Sequence, residues 1–316
     1  MQPAITLRKL SKQFVKDKKK FLAVNNVSLE VPQGIVFGLL GPNGAGKTTT
    51  ISMICTLLRP TSGSVELFGV DTTKNVYAAR RQLGLVFQET TLDTELSAYD
   101  NLRFQAMLYK LENRERKINE AFKLVGLEKE RNTLVKTFSG GMKRRLEIAR
   151  ALLTEPKIIL LDEPTLGLDA AARKELWNYI QNLLSKKKIT VLLTTHYLEE
   201  AERVCSYIAL MDNGNIVRQG TPEQLISSVA KDVVIVSVQR GAQELAAKLR
   251  KEKVVKEVAV EGKQLHVYLQ DADTGLVKIL KLLHGAEKIE VKKPTLEDAY
   301  LQLTGKRFDE ADTVKK

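Results

Sequence analysis

The sequence predicts an α/β fold followed by a smaller α+β unit, on three observations. Two apolar runs of buried-strand length, "GIVFGLL" (34–40) and "KIILL" (157–161), each lead directly into polar turn chemistry. After the first run, Ile51, Ile54 and Leu58 recur at helical spacing, and Pro60 with Gly63 closes the segment. Beyond about residue 228 the texture changes to short strands and helices in the order β-α-β-β-α-β, that of a split βαβ, ferredoxin-like unit.

Between the first strand and its helix lies "GPNGAGKTTT" (41–50), with three glycines and a proline in its first six residues. Such a run makes poor strand and poor helix. Gly41, Gly46, Lys47 and Thr48 fit the pattern G-x-x-x-x-G-K-[ST]. Glycines let backbone N–H groups turn inward around an anion, and the helix that follows adds the positive end of its dipole. Gly41, Pro42, Asn43, Gly44, Ala45 and Gly46, with Lys47, Thr48 and Thr49 opening the helix, form a candidate phosphate cradle. Lys47 is expected to reach the β- and γ-phosphates and Thr48 to offer its hydroxyl to Mg²⁺. A merely connecting Gly-rich turn is the plainer reading; the strand before it and the helix after it weigh against that.

A length of 316 residues suggests two domains, and a hydrophobic content of 43% is ample for their cores. No apolar run approaches a membrane span and no signal-peptide pattern opens the chain, so a soluble, cytoplasmic protein is expected. Cys55 and Cys205 are the only cysteines, which leaves no disulfide framework or zinc cluster and suits a reducing compartment. The net charge is +12, with clusters at Lys18–Lys20, Lys143–Arg145 and Lys186–Lys188. These read as solvated surface, with only a weak signal for anionic lipid or nucleic acid.

The second strand run continues into "DEP" (162–164). Asp162 at the strand end can hold Mg²⁺, through water. Glu163, one residue on, points differently and can polarise an attacking water as general base. Upstream, "FSGGMKRRLEIARALL" (138–153) reads as a helix with Leu146, Ala149 and Leu153 on one face and Ser139 as its N-cap. A glycine-bearing helix start is also an anion site. Ser139, Gly140 and Gly141 would then give one chain a second γ-phosphate site, which makes sense if it serves a nucleotide held by another subunit.

The phosphate loop, the Ser-Gly-Gly helix and the acidic strand end, in this order, resemble the ATP-binding-cassette (ABC) ATPases. The resemblance implies a P-loop, ABC-type nucleotide-binding domain, with a mixed, mainly parallel sheet and a helical lobe. Several further roles are implied by it. Gln88 in "GLVFQE" resembles the glutamine that touches Mg²⁺ and the attacking water, in the loop facing the membrane subunit. Asp169 in "LGLDA" resembles the aspartate that crosses the dimer interface, and His196 in "TTHYLEEAE" the switch histidine on the γ-phosphate. Phe14 in "LSKQF" is the expected adenine stacker, with Phe21 as runner-up because "VKDKKK" lengthens the loop. Met142 stands where the signature commonly has glutamine; Ser139, Gly140 and Gly141 are kept, as are Glu163 and His196.

The resulting division is an ATPase domain at 1–228 with a helical lobe at about 92–153, an α+β accessory domain at 229–305, and a charged tail at 306–316. In the lobe, Ser97 precedes Leu102, Ala106 and Tyr109 at helical spacing, and Ile118, Ala121, Phe122 and Val125 form a stripe closed by Gly126. The ending "PTLEDAYLQLTG" (294–305) resembles that of ATPases of ABC-2-type exporters, the group including daunorubicin-resistance-like pumps. The resemblance implies an ATP- and Mg²⁺-using subunit that energises export through a separate transmembrane permease. It further implies a head-to-tail dimer with a second copy or a paralogue, at the inner face of the cell membrane. The alternative is a soluble ABC-type ATPase acting on a nucleic-acid or ribosomal partner. One cassette rather than two, and no sustained heptad, favour the transporter.

Overall fold

The computed structural model of the chain describes residues 2–16, 18–187, 189–230, 232–269, 272–283 and 285–305. The expected tail at 306–316 and Lys188 lie outside the described residues. The chain divides into two compact units. One comprises the residues up to Tyr197 plus Arg203–Val217; the other comprises Leu198–Glu202 plus the chain from Arg218 onward.

In chain order the first part holds β1 (Ile5–Lys16), β2 (Lys19–Val31), β3 (Val36–Leu40), α1 (Lys47–Ile54), β4 (Ser62–Leu67), β5 (Val70–Asp71), α2 (Val76–Arg81) and β6 (Leu83–Val86). The helices α3 (Ala98–Leu108), α4 (Arg114–Val125) and α5 (Gly140–Leu152) follow. Then come β7 (Ile158–Asp162), α6 (Ala170–Lys187), β8 (Thr190–Thr195), α7 (Leu198–Val204), β9 (Tyr207–Asp212) and β10 (Asn215–Gly220).

Six strands form one sheet in the order β10-β9-β3-β8-β7-β6, and β3, β6, β7, β8 and β9 pair in parallel. Every residue of β3, β7 and β8 is buried. A parallel strand covered on both faces needs apolar residues without alternation, hence the unbroken runs in the sequence. A second, antiparallel sheet runs β2-β1-β4-β5. Ile5, Leu7, Leu10 and Val24 from it share a core with Phe37 and Leu39 of β3 and Ile51 and Ile54 of α1.

The helices α3, α4 and α5 bury their own cluster, which includes Leu102, Ala106, Ile118, Phe122, Leu146 and Ala149. Ser97 caps α3 by accepting from the Asp100 N–H, and Gly126 ends α4 at φ 64°. Both cysteines are buried. Burial, with Asp162 nearby, pushes the Cys55 thiol up to about 12, so it stays protonated and unreactive near neutrality. Among the described residues no helix is long and apolar enough to cross a membrane.

The other unit contains, besides most of α7 and the end of β10, α8 (Pro222–Ser227), β11 (Asp232–Val238), α9 (Ala242–Leu249), β12 (Val255–Glu261), β13 (Gln264–Leu269), α10 (Ala272–Leu280), β14 (Ala286–Lys292) and α11 (Leu296–Thr304). Its sheet runs β12-β13-β11-β14, each neighbouring pair antiparallel. Alternation along β11 sorts side chains to two faces. Val234 and Val236 join Leu249, Leu265, Val267 and Ile279, while Val233 joins Tyr268, Val229, Ala230 and Ala299.

At the second face, Asp298 is buried and bonded to both the backbone and the hydroxyl of Thr295, at 2.9 and 2.8 Å, with Lys292 Nζ at 3.2 Å. Burial alone would raise its carboxyl, but His266, Thr295 and Lys292 together outweigh that and hold it well below the usual carboxylate range. A carboxyl depressed in the folded state stabilises the fold above its unfolded pKa, about 4 for Asp, and loses that contribution as pH falls further. Amide exchange in β13 should therefore quicken as pH drops from 5 to 3, after correction for intrinsic exchange. Asp298→Asn should exchange faster at pH 7 and lose this pH dependence; an unchanged slope in the variant would remove Asp298 from the account.

Candidate functional site

Parallel register gathers the site. Leu40 at the end of β3 pairs with Thr195 of β8, and Asp162 at the end of β7 pairs with Thr194. Three strands thus end side by side, and the segments leaving them share one edge of the sheet, where α/β folds place ligands.

From β3 the chain enters the glycine loop. Gly44 and Gly46 adopt φ 78° and 105°. A Cβ at Gly46 would lie 2.4 Å from the Ala23 carbonyl oxygen, and one at Gly41 would lie 2.2 Å from that of Met211, so backbone packs against backbone there. Gly46 is the N-cap of α1 and supplies no side-chain acceptor, and the first turn holds no acid. The first-turn N–H groups have no intrahelical partner by geometry, and no acid of the helix's own first turn compensates its dipole. That donor set suits a polyphosphate.

Lys47 is buried and turns back over the loop, donating to the Gly41 and Pro42 carbonyls at 2.5 and 3.2 Å. Its Nζ lies 3.9 Å from Glu163 Oε1. Thr50 is buried and donates to the Gly46 carbonyl, whereas Asn43, Gly44 and Thr48 are exposed, and Thr49 is half-buried.

At the end of β7, Asp162 is buried and accepts from the Thr194 hydroxyl at 2.5 Å. Glu163 is buried and left-handed, with φ 49°. Its Oε2 accepts from the His196 backbone N–H at 3.2 Å and lies 2.8 Å from His196 Nδ1. One oxygen of Glu163 is therefore fixed by His196 and the other faces Lys47. Asp169 is exposed and caps α6 of its own chain, accepting from the Ala172 N–H at 2.9 Å.

Ser139 caps α5 as the sequence suggests, accepting from Met142 N–H at 3.2 Å. Ser139 and Gly140 are exposed and Gly141 is half-buried. Phe14 and Phe21 face each other across β1 and β2, with ring centroids 5.7 Å apart, so both sequence candidates occupy one aromatic surface. Gln88 follows β6 with its side chain exposed.

One expectation fails. The cluster Lys143–Arg145 is not all solvated surface, because Arg144 is 6% exposed. Its guanidinium donates to the carbonyls of Pro164 (2.8 Å), Glu163 (2.9 Å) and Phe87 (2.5 Å), and pairs with Glu147 at 2.8 Å. Glu147 in turn accepts from the Thr91 N–H at 3.0 Å. Arg144, Glu147 and Thr194 were missed as site residues. A signal was present for the first: Arg144, Ile148 and Ala151 recur at i, i+4, i+7, a second inward stripe beside that of Leu146.

Residues 24–166 match the family model for the ABC transporter. The chain is 36% identical over 315 residues to the Nod factor export ATP-binding protein I of Cupriavidus pinatubonensis, covering 97% of this chain and 93% of that one. It is also 36% identical to the daunorubicin resistance ATP-binding protein DrrA3 of Streptomyces coeruleorubidus, over 96% of each. Among solved structures, CbiO1 of Clostridium perfringens, part of the ABC transporter complex CbiONQ, superposes with a TM-score of 0.66 at 26% identity, over 72% of this chain and 92% of that one. The ATP-binding cassette MJ0796, a dimer in a post-hydrolysis state with ADP and Pi, gives 0.63 at 28% identity, over 69% and 98%. With relatives this similar along nearly its whole length, and with the cradle, acids and histidine above, the chain belongs to the ATP-binding, ATP-hydrolysing subunits of ABC transporters.

Proposed function

We propose that this chain is the motor subunit of an exporter, working through a separate transmembrane permease at the inner face of the cell membrane. The names of its relatives, a Nod factor exporter and a daunorubicin resistance protein, support the direction. The observation that carries the chemistry is the convergence of Lys47, Asp162, Glu163 and His196 at the ends of three parallel strands.

In this reading Gly41–Thr49 bind the phosphates through backbone N–H groups and the Lys47 ammonium. Thr48, Asp162 and Gln88 would hold Mg²⁺, offering the oxygen donors that a hard cation requires. When bound, the metal would neutralise charge on the phosphates. Thr194 fixes Asp162 Oδ1, and in this reading Oδ2 is the oxygen turned to the metal. His196 fixes Glu163 Oε2, leaving Oε1, the oxygen nearer the loop lysine, to take a proton from water. Phe14, with Phe21, offers a stacking surface for adenine. Ser139, Gly140 and Gly141 serve the nucleotide of a partner in a head-to-tail dimer, to which Asp169 also contributes. MJ0796 is dimeric, which supports that arrangement.

Two outcomes test the roles. Glu163→Gln should keep ATP affinity while turnover falls by about 10²-fold or more, the usual range for a lost general base; wild-type phosphate release would remove Glu163 from that role. Lys47→Ala should instead weaken binding, read by equilibrium dialysis of labelled ATP.

Mixing two inactive variants tests the shared site. Lys47→Ala lacks phosphate binding in its own loop, and Ser139→Arg blocks a partner's phosphate. A mixed dimer has one site with both defects and one with neither, so partial ATPase recovery is expected. No recovery, with mixed dimers verified and one-site turnover shown by a control pair, would place each site within one chain.

A further inference from the structure

Arg144 does more than fill the gap beneath the site. Glu163 sits at φ 49° immediately before Pro164. Left-handed backbone is costly for a residue with a side chain, and a residue ahead of proline normally prefers extended backbone. Such a conformation persists only where its surroundings over-determine it. Here three successive carbonyls, those of Asp162, Glu163 and Pro164, turn onto one guanidinium at 3.4, 2.9 and 2.8 Å. The same group takes the carbonyls of Phe87 at 2.5 Å and Gln88 at 3.5 Å from the loop after β6.

A guanidinium presents five N–H donors in a flat fork, so it can span two segments at once; an ammonium is a single point. Glu147 neutralises the buried charge and reaches the same loop through Thr91. Arg150 adds a third tie, to the Thr91 carbonyl at 2.9 Å.

We infer that Arg144 is a positioning residue that sets the left-handed backbone of Glu163, with the Phe87 and Gln88 carbonyls as its anchor on the neighbouring loop. The inference rests on the role proposed above for Glu163. Glu147 holds the fork in register and is the second member of the clamp. The clamp acts on the placement of Glu163 and leaves the phosphate loop untouched, so it should govern turnover and spare affinity.

Arg144→Lys keeps the charge and the partner Glu147 but cannot span the carbonyls. In the purified full chain it should lower kcat about 10-fold to 100-fold, the scale of a misplaced reacting group. ATP affinity should stay within about threefold, since the cradle is unaltered. The discriminating readout is the double variant. If Arg144 acts through Glu163, then Arg144→Lys in a Glu163→Gln background should slow single-turnover hydrolysis by no more than about twofold. A merely structural role would multiply the two losses and lower affinity and thermal midpoint in parallel; either result overturns the inference. So does a wild-type kcat in Arg144→Lys. If that variant does not fold, Glu147→Gln takes its place in the same cycle with the same expectations. Wild-type turnover in Glu163→Gln alone would overturn the general-base role, and the inference with it; the other adverse results overturn the inference only.

Discussion

The parallel pairing of β3, β7 and β8 is the constraint on which the site depends. Register matches Leu40 to Thr195 and Asp162 to Thr194, so the glycine loop, the acidic pair and His196 leave the sheet at one level. A shift by one residue along β7 would turn Asp162 to the opposite face and carry Glu163 away from His196. Burial on both faces resists such a shift, because every residue of the three strands is buried and any slip exposes or strands apolar surface.

Around those strand ends, charge is buried and paired. Lys47, Arg144, Glu147, Asp162 and Glu163 are all at most 6% exposed. Removing such groups from water costs several kcal/mol each unless other groups replace the lost hydration, as they do here. Lys47 has two loop carbonyls, Asp162 has Thr194, Glu163 has His196, and Arg144 has backbone carbonyls from two segments. A network of this kind is rigid because each member loses its partner if another moves. The helical cluster of α3, α4 and α5 is thus tied to the sheet by polar contacts at Arg144, in addition to whatever apolar surface they share.

Much of this was legible in the sequence, because the chemistry is local there. The glycine loop, the acids after β7 and the caps at Ser97 and Ser139 each rest on residues within a few positions of one another, which a linear reading can see. The succession of strands and helices beyond residue 230 was equally visible, since alternation is a property of single strands. What escaped was long-range. The carbonyl partners of Arg144 lie 18 to 57 positions away, so although its spacing with Ile148 and Ala151 marks it as inward-facing, nothing local shows what it holds. The same holds for Thr194, 32 positions from the carboxylate it fixes. The choice between Phe14 and Phe21 depended on hairpin register, which places the two opposite each other.

The backbone at Glu163 shows where stability and work diverge in this chain. Left-handed geometry costs a residue with a side chain on the order of 1–3 kcal/mol, and glycine escapes that cost. Selection on the fold alone would therefore favour glycine after Asp162, and the strain would vanish. The chain instead keeps a carboxylate in a conformation that it must be held in from several sides. If Glu163 is the general base proposed above, sequence drift toward a sturdier protein at this position is drift toward an inert one, and an engineering effort guided only by melting temperature would discard that carboxylate.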